Sequence, residues 1–281
     1  MRIKMITFLR ADVLREAHFA HKSRLKIQLH GIVEFIGLRF SSLVVANSNS
    51  MKYSVSDRHQ DLRWAILPNN VQQQVHIGNT EKLQIRRAHS LPANDYVVAT
   101  AAPFSRVKNI EFLLEAFSKL DLDSARLLII GDDLNNAGER ERLEALAERW
   151  QIDTQTVFTG WLDNPLRTIA AADLFVFPSS QEGSPNAFLE ALACNIPCMG
   201  SRIPEIGEIL QNDELQFGLD SSDELTCKIR KACTDPSYAQ HLKQLSDRCK
   251  QTFIFDWNNE AVRIITGASC QQGVSGHENV T

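Results

Sequence analysis

The sequence predicts an α/β protein built on a parallel sheet, and three observations carry that prediction. From Tyr96 onward, short apolar runs alternate with amphipathic stretches of helical period, the rhythm of strand–helix–strand crossovers. Residues 173–197 (DLFVFPSSQEGSPNAFLEALACNIP) condense one such unit into an apolar strand, a Pro/Ser/Gly turn and a helix entry. The 281 residues are 43% hydrophobic, enough for a sizeable core, yet no apolar run approaches the length of a membrane span. That length fits one large domain or two ordinary ones.

Taken in order, residues 5–9 read as a short strand. Asp12 is placed to cap a helix through AHFAHKSRLKIQLHGIVEFIG, which Gly31 and Gly37 are expected to weaken or break. Residues 43–46 (LVVA) read as a buried strand, and Asn47-Ser48-Asn49-Ser50 as the cap-rich start of a short helix. Another strand at 65–67 is stopped by Pro68-Asn69-Asn70. Residues 71–94 turn polar, with a short helix around 82–88, and this shift ends at Pro92-Ala93-Asn94, the candidate domain boundary. Strands then follow at 96–101, 126–130, 156–158, 174–177 and 198–200. Helices are expected at 109–120, 139–150, 165–171, 185–194 and 204–210, with two or three more between 222 and 266. Residues 267–281 are polar and glycine-rich, so they are expected to form a disordered tail.

The net charge of −4 argues against a dedicated nucleic-acid binder. Residues 1–39 run the other way, with eight Lys/Arg against three Asp/Glu. A solvated helix face is the ordinary reading of that bias, and contact with anionic lipid headgroups is the alternative. The start, MRIKMITFLR, has only a five-residue apolar run, too short for a secretory signal. Six cysteines form no C-x-x-C pair and no cluster with histidine, which fits buried free thiols in a reducing cytoplasm.

Three loops are expected at the carboxyl edge of the sheet. The first holds Ser105, Arg106 and Lys108 just ahead of a helix, where two cations add to the positive end of the helix and suit a phosphate or diphosphate. The second, Gly131-Asp132-Asp133, lacks the G-x-G-x-x-G spacing of the dehydrogenase fold. The third carries Glu182, and Glu190 follows with seven residues between them. Ser184 is the expected N-cap there, with Pro185 at the first helical position. From spacing alone, a plain loop carboxylate at Glu182 and an exposed helical one at Glu190 are the default reading.

The string Glu182-Gly183-Ser184-Pro185-Asn186-Ala187-Phe188-Leu189-Glu190-Ala191-Leu192-Ala193-Cys194-Asn195-Ile196-Pro197 resembles the signature of retaining, GT-B-fold glycosyltransferases of the large family 4 type (glycosyl transferases group 1). FSRVKNIEFLLEAF (104–117), ARLLIIGD (125–132), FTGW (158–161) and NDELQFGLDSSDEL (212–225) follow the same pattern, and LVVANSNSMK and WAILPNNV resemble the last strands of its N-terminal domain. The resemblance implies a complete C-terminal Rossmann-like domain at 95–250 and a partial N-terminal Rossmann-like, acceptor-side domain at 1–94. It also implies a C-terminal helix at 251–266 that packs back toward the N-terminal part. Lys108 would contact the donor diphosphate and Glu182 the donor sugar, as catalytic residues. Glu190 would hold the ribose, Gly160 and Trp161 would frame the base, and Ser105, Arg106, Gly183, Ser184, Pro185 and Asn186 would complete the donor site. The donor would be a nucleoside diphosphate sugar, with no cofactor and no metal. The acceptor would be a glycan or lipid-linked glycan, and the setting cytoplasmic, with peripheral membrane contact through residues 1–40.

The departures are specific. Ala102-Pro103 stands where the family usually has Gly-Arg, and Arg106 is the nearest substitute. Asn195 replaces a common glycine at a helix end. Arg10 stands about where many relatives carry histidine, and the strand–helix units of a full N-terminal domain are expected to be missing. A catalytically incomplete nucleotide-sugar-binding module and, less favoured, a nucleotide-sugar epimerase are the alternative readings.

Overall fold

The computed structural model describes residues 5–9, 24–59, 61–71, 74–134 and 137–267. Asp12, Arg10 and the tail from 268 lie outside the described residues. The described chain forms two parallel sheets in two layers. The first has three strands in sequence order, β1 (Met5–Leu9), β2 (Ser41–Ala46) and β3 (Trp64–Ile66). Helix α1 (Arg24–Arg39) precedes β2 and α2 (Asn49–Ser56) follows it. The second layer follows α3 (Asn79–Ala88). It has six strands: β4 (Tyr96–Ala101), β5 (Ala125–Ile130), β6 (Thr156–Phe158), β7 (Leu174–Phe177), β8 (Cys198–Ser201) and β9 (Gln216–Phe217). They lie side by side in the order β6-β5-β4-β7-β8-β9, all parallel.

Helices α4 (Ile110–Ser118), α5 (Glu139–Arg149), α6 (Leu166–Ala170), α7 (Asn186–Ala193) and α8 (Pro204–Leu210) join these strands. Parallel strands need such crossovers, and helices on both faces explain why β5, β7 and β8 read as unbroken apolar runs. Leu127 to Ile130 and Leu174 to Phe177 are all buried. Beyond β9 come α9 (Asp223–Thr234), α10 (Pro236–Gln251) and α11 (Trp257–Thr266), so the region expected to hold two or three helices holds three. Strand β9 had no counterpart in the sequence reading.

Helix α1 departs from expectation, since it runs unbroken through Gly31 and Gly37. Each glycine costs roughly 1 kcal/mol relative to alanine, and tertiary anchors offset this. Leu38 is buried against the first sheet, and Glu34 pairs with Arg58 at 3.2 Å and His59 at 3.4 Å. Ile32, Val33, Phe35 and Ile36 face outward, each more than half exposed.

The chain crosses between the layers twice. On the way out, Val71 N–H donates to Phe253 O at 2.8 Å, and Asn70 Nδ2 donates to Phe255 O at 3.0 Å. The returning chain then packs Phe255, followed by Trp257, Ala261 and Ile264 of helix α11, against Val45, Leu67 and their neighbours on the first sheet. Helix α3, which the sequence reading placed before the boundary at 94, is anchored on the second layer. Arg86, only 4% exposed, pairs with Asp173 at 2.6 Å and donates to the carbonyls of Ala93, Asp95 and Ala171, each at 3.0 Å. Lys82 reaches the other Asp173 oxygen at 2.7 Å.

Candidate functional site

In the six-stranded layer the chain first builds outward from β4 through β5 to β6, then returns to β7 and builds the other way. The strand order therefore reverses between β4 and β7, and the loops leaving these two strands part to form a crevice at their carboxyl ends. Residues 102–109 leave β4 and residues 178–185 leave β7.

The first loop is held by its neighbour. Ala102 N–H donates to Ile130 O at 3.0 Å and Phe104 N–H to Asp132 O at 2.9 Å, so the loop lies against the end of β5. Gly131 makes room for it. Its φ is +137°, and a Cβ there would sit 1.9 Å from Ala102 O, so no other residue fits without moving the loop. A 3₁₀ turn, Arg106–Lys108, ends at Asn109 in the left-handed conformation (φ 52°), from which α4 starts. The second loop is tied to the first. Ser180 donates to Val107 O from its backbone at 2.8 Å and from its hydroxyl at 3.1 Å.

This bracing brings Lys108 and Glu182 together, with Nζ and Oε1 2.7 Å apart. The Glu182 side chain is only 6% exposed and Lys108 is partly covered. The Lys108 ammonium also lies over the Phe177 ring, 5.9 Å from its centroid. A carboxylate this deep needs a cation or several donors, and Lys108 is that cation. Two groups 74 residues apart in sequence form one charged pair at the switch point.

Helix α7 starts one residue later than expected. Pro185, not Ser184, is its N-cap, and no side chain caps it. The Ser184 hydroxyl lies 3.2 Å from Asn186 Oδ1, and both accept from Asn69 Nδ2 of the first layer at 2.5 Å. Asn47 Nδ2, at the end of β2, donates to Gly183 O at 3.3 Å. These two asparagines were missed as site residues. Their signal was present in the cap-rich run 47–50 and in Pro68-Asn69-Asn70, but their partners lie far away in the chain. Glu208 of α8 adds a third contact, accepting from the backbone N–H groups of Asn49 at 2.8 Å and Ser50 at 2.5 Å.

Glu190 faces a cavity of about 760 Å³ between the layers, lined also by Phe8, Asn47, Asn69, Asn186 and Trp257. Its carboxylate has no hydrogen-bond partner among the described residues. The side chain reaches solvent, yet the crowding walls raise its pKa by desolvation. Lys108 and Glu182, paired with each other, are not among the residues that line this cavity.

The remaining candidates scatter. Ser105 O accepts from Lys108 N–H at 3.0 Å and shapes the turn. Arg106 is 70% exposed and turns toward Glu111 (3.7 Å) and Glu139 (3.4 Å), away from Lys108 and Glu182. Gly160 (φ +75°) accepts from Gly131 N–H at 3.1 Å, beside Trp161, which is exposed. Asn195 takes the left-handed conformation (φ 59°) after α7, the backbone role of the glycine it replaces. No cluster of His, Cys, Asp and Glu suited to a metal occurs among the described residues.

The sequence profile of the family described as glycosyl transferases group 1 matches residues 81–250, well over half of the chain. The chain belongs to this family. As a group 1 glycosyltransferase chain it is 25% identical over 197 residues to N-acetyl-alpha-D-glucosaminyl L-malate synthase of Bacillus anthracis, covering 67% of this chain and 49% of that protein. It is 29% identical over 195 residues to the serotype-specific mannosyltransferase WbdA of Escherichia coli, covering 67% of this chain and 23% of that one. It thus spans half or less of the length of these relatives. Among solved structures it resembles Anabaena HepE in complex with UDP and glucose (TM-score 0.78, 18% identity, 94% of this chain, 72% of that one). Sucrose-phosphate synthase from Thermosynechococcus elongatus is similar (TM-score 0.76, 20% identity, 96% of this chain, 69% of that one). The fold is the GT-B fold, an α/β architecture of parallel sheets.

Proposed function

We propose that this protein is a retaining, family 4 type glycosyltransferase that moves a hexose-type sugar from a nucleoside diphosphate sugar to a glycan or lipid-linked acceptor. The setting is surface polysaccharide or glycoconjugate biosynthesis. The observation that carries the reading is the Lys108–Glu182 pair at the switch point, beside the start of α7. On donor entry, Lys108 turns to the diphosphate and Glu182 accepts from hydroxyls of the sugar, so each keeps a partner of opposite polarity. The bond from the anomeric carbon to the diphosphate oxygen breaks, and the acceptor oxygen bonds to that carbon from the same face. The acceptor proton leaves with the departing diphosphate. Charge grows on that diphosphate in the transition state, where Lys108 and the backbone N–H groups at the start of α7 stabilise it without a metal.

Glu190 accepts from two ribose hydroxyls, a pairing that fixes orientation as well as adding energy. Gly160 and Trp161 flank the base. Relatives named for lipopolysaccharide core and O-antigen biosynthesis support the setting. No helix among the described residues is long and apolar enough to cross a membrane. The outward apolar residues of α1, within the basic first forty residues, suit peripheral contact with an anionic membrane face on the cytoplasmic side, where a lipid-linked acceptor would be met.

Replacing Lys108 or Glu182 by alanine is expected to lower turnover at least ~10²-fold, the usual cost of losing one transition-state partner. Product formation from radiolabelled nucleotide sugars measures it, and undiminished turnover in either variant overturns the assigned roles. A second reading, a nucleotide-sugar-binding module that no longer transfers, is favoured by the three-stranded first layer. Calorimetry that shows donor binding without transfer or donor hydrolysis would select it.

A further inference from the structure

We infer that Asn69 is a positioning residue: the shape of the loop that presents Glu182 is set by the opposite layer, through two donations from the Asn69 amide. The inference deepens the proposed function and rests on it for the role of Glu182.

The local sequence Ser184-Pro185-Asn186 has what an isolated helix needs to cap itself, a serine followed by proline and a short polar side chain. The structure uses none of it for that purpose. The residue at the N-cap is Pro185, which offers no side-chain acceptor, and no side-chain cap bond forms. The Ser184 hydroxyl and the Asn186 amide oxygen instead converge on Asn69 Nδ2. One primary amide has two N–H groups, so it serves both acceptors at once without leaving a donor unpaired. The loop is thus pinned from two directions. On the upstream side Ser180 is fastened to Val107 within its own layer. On the downstream side Gly183 O is held by Asn47, and Ser184 and Asn186 by Asn69, all from the three-stranded layer.

Glu182 sits between these anchors and has only Lys108 as its side-chain partner among the interactions described. Its carboxylate position is therefore fixed by backbone held at both ends, and releasing the downstream end lets Gly183 and Ser184 relax toward an ordinary serine cap. A displacement of about 1 Å at a reacting group can cost ~10²-fold in rate. Asn69 touches no reacting atom in this scheme, and it acts through the loop.

The test uses three forms of the full chain: wild type, Asn69→Leu, which keeps the side-chain shape and removes the donors, and Asn69→Gln, which restores them on a longer arm. Hydrogen exchange of the backbone amides at 182–188 is read first, because it needs no activity. Asn69→Leu is expected to exchange ~10-fold faster there, with exchange in β4 and β5 unchanged, and Asn69→Gln to recover part of the protection. Steady-state transfer is read second, with kcat expected to fall ~10²-fold for Asn69→Leu and donor KM to stay within about threefold. Unchanged exchange at 182–188 in Asn69→Leu overturns the inference whatever the activity. So does a fall in melting temperature with kcat of the folded fraction preserved. A wild-type protein that neither binds nor transfers a donor overturns the proposed function instead, while the exchange arm still decides whether Asn69 shapes the loop.

Discussion

The two layers of the molecule hold together by different means. The six-stranded layer surrounds a single large core in which β4, β5, β7 and β8 are covered on both faces, and its polar hub, Arg86 with Asp173, is satisfied by its own residues. The three-stranded layer has two small clusters, and one of them is completed only by Phe255, Trp257, Ala261 and Ile264 of the returning chain. Its helix α1 shows apolar side chains to solvent, and its helix α2 takes the carboxylate at its N-terminus from Glu208 of the other layer. One layer closes around a large core, and the other keeps one small cluster of its own and shares a second with the returning chain. The site lies where they meet, with its charges on the first layer and part of its scaffolding on the second.

The sharpest way to break this contrast is to damage the six-stranded layer. Arg86→Ala leaves Asp173 without its buried guanidinium and three carbonyls without donors, so a loss of about 3–5 kcal/mol is expected. Chemical denaturation should show the whole chain melting earlier in one transition. If only part of the signal shifts, the two layers are more independent than their contacts imply.

A smaller and more selective effect is expected from Trp257→Ala. This half-buried ring packs on the first sheet and faces Phe8, with centroids 6.2 Å apart. Its loss should cost about 2 kcal/mol, below the range for a fully buried aromatic. The loss should fall on the three-stranded layer, seen by exchange as early opening of β2 while β4 stays protected. Equal opening of both strands would contradict the contrast.

The smallest effect concerns pH. Desolvation holds the Glu190 carboxyl above its ordinary value in the folded chain. The folded protein therefore binds that proton more tightly than the unfolded chain. The stability this provides is full below the unfolded pKa and is lost as pH rises through the folded one. Glu190→Gln stays neutral throughout, so it should melt slightly higher than wild type at pH 7 and no higher near pH 4. Solvent contact keeps the gain small. The same variant should bind the nucleotide less tightly, a trade expected of a residue kept for a ligand rather than for the fold. Identical melting curves at both pH values would remove the electrostatic part of this account.

What the sequence disclosed follows the same division. In the six-stranded layer, strands from Tyr96 to Cys198 were legible because each is an apolar run bounded by turn residues, and the helices because their apolar period is local. Lys108 and Glu182 are singled out by a family pattern alone, and nothing in the spacing says that they touch. Ser184 was misread as a cap because capping rules describe a helix alone, whereas Asn69 competes for the same hydroxyl from another layer. Helix α1 was misread for a related reason. Propensity counts the cost of Gly31 and Gly37, but it does not see Leu38 docking on a sheet or Glu34 meeting Arg58 and His59. The short β9 escaped because two residues carry no periodicity.

The two crossings between the layers give the molecule a pivot. Val71 and Phe253 are joined backbone to backbone, with Asn70 fastened to Phe255 beside them, which makes this seam the natural axis for a hinge-type opening of the cleft. Points near an axis travel little and points far from it travel far. Asn69 is the next residue along from the seam, whereas the Glu208 contact with Asn49 and Ser50 joins α8 to α2. A rotation about that seam would therefore displace Asn69, and its grip on Ser184 and Asn186, only slightly. The loop bearing Glu182 can then keep its form while the entrance widens, as a page stays sewn at the spine of an open book.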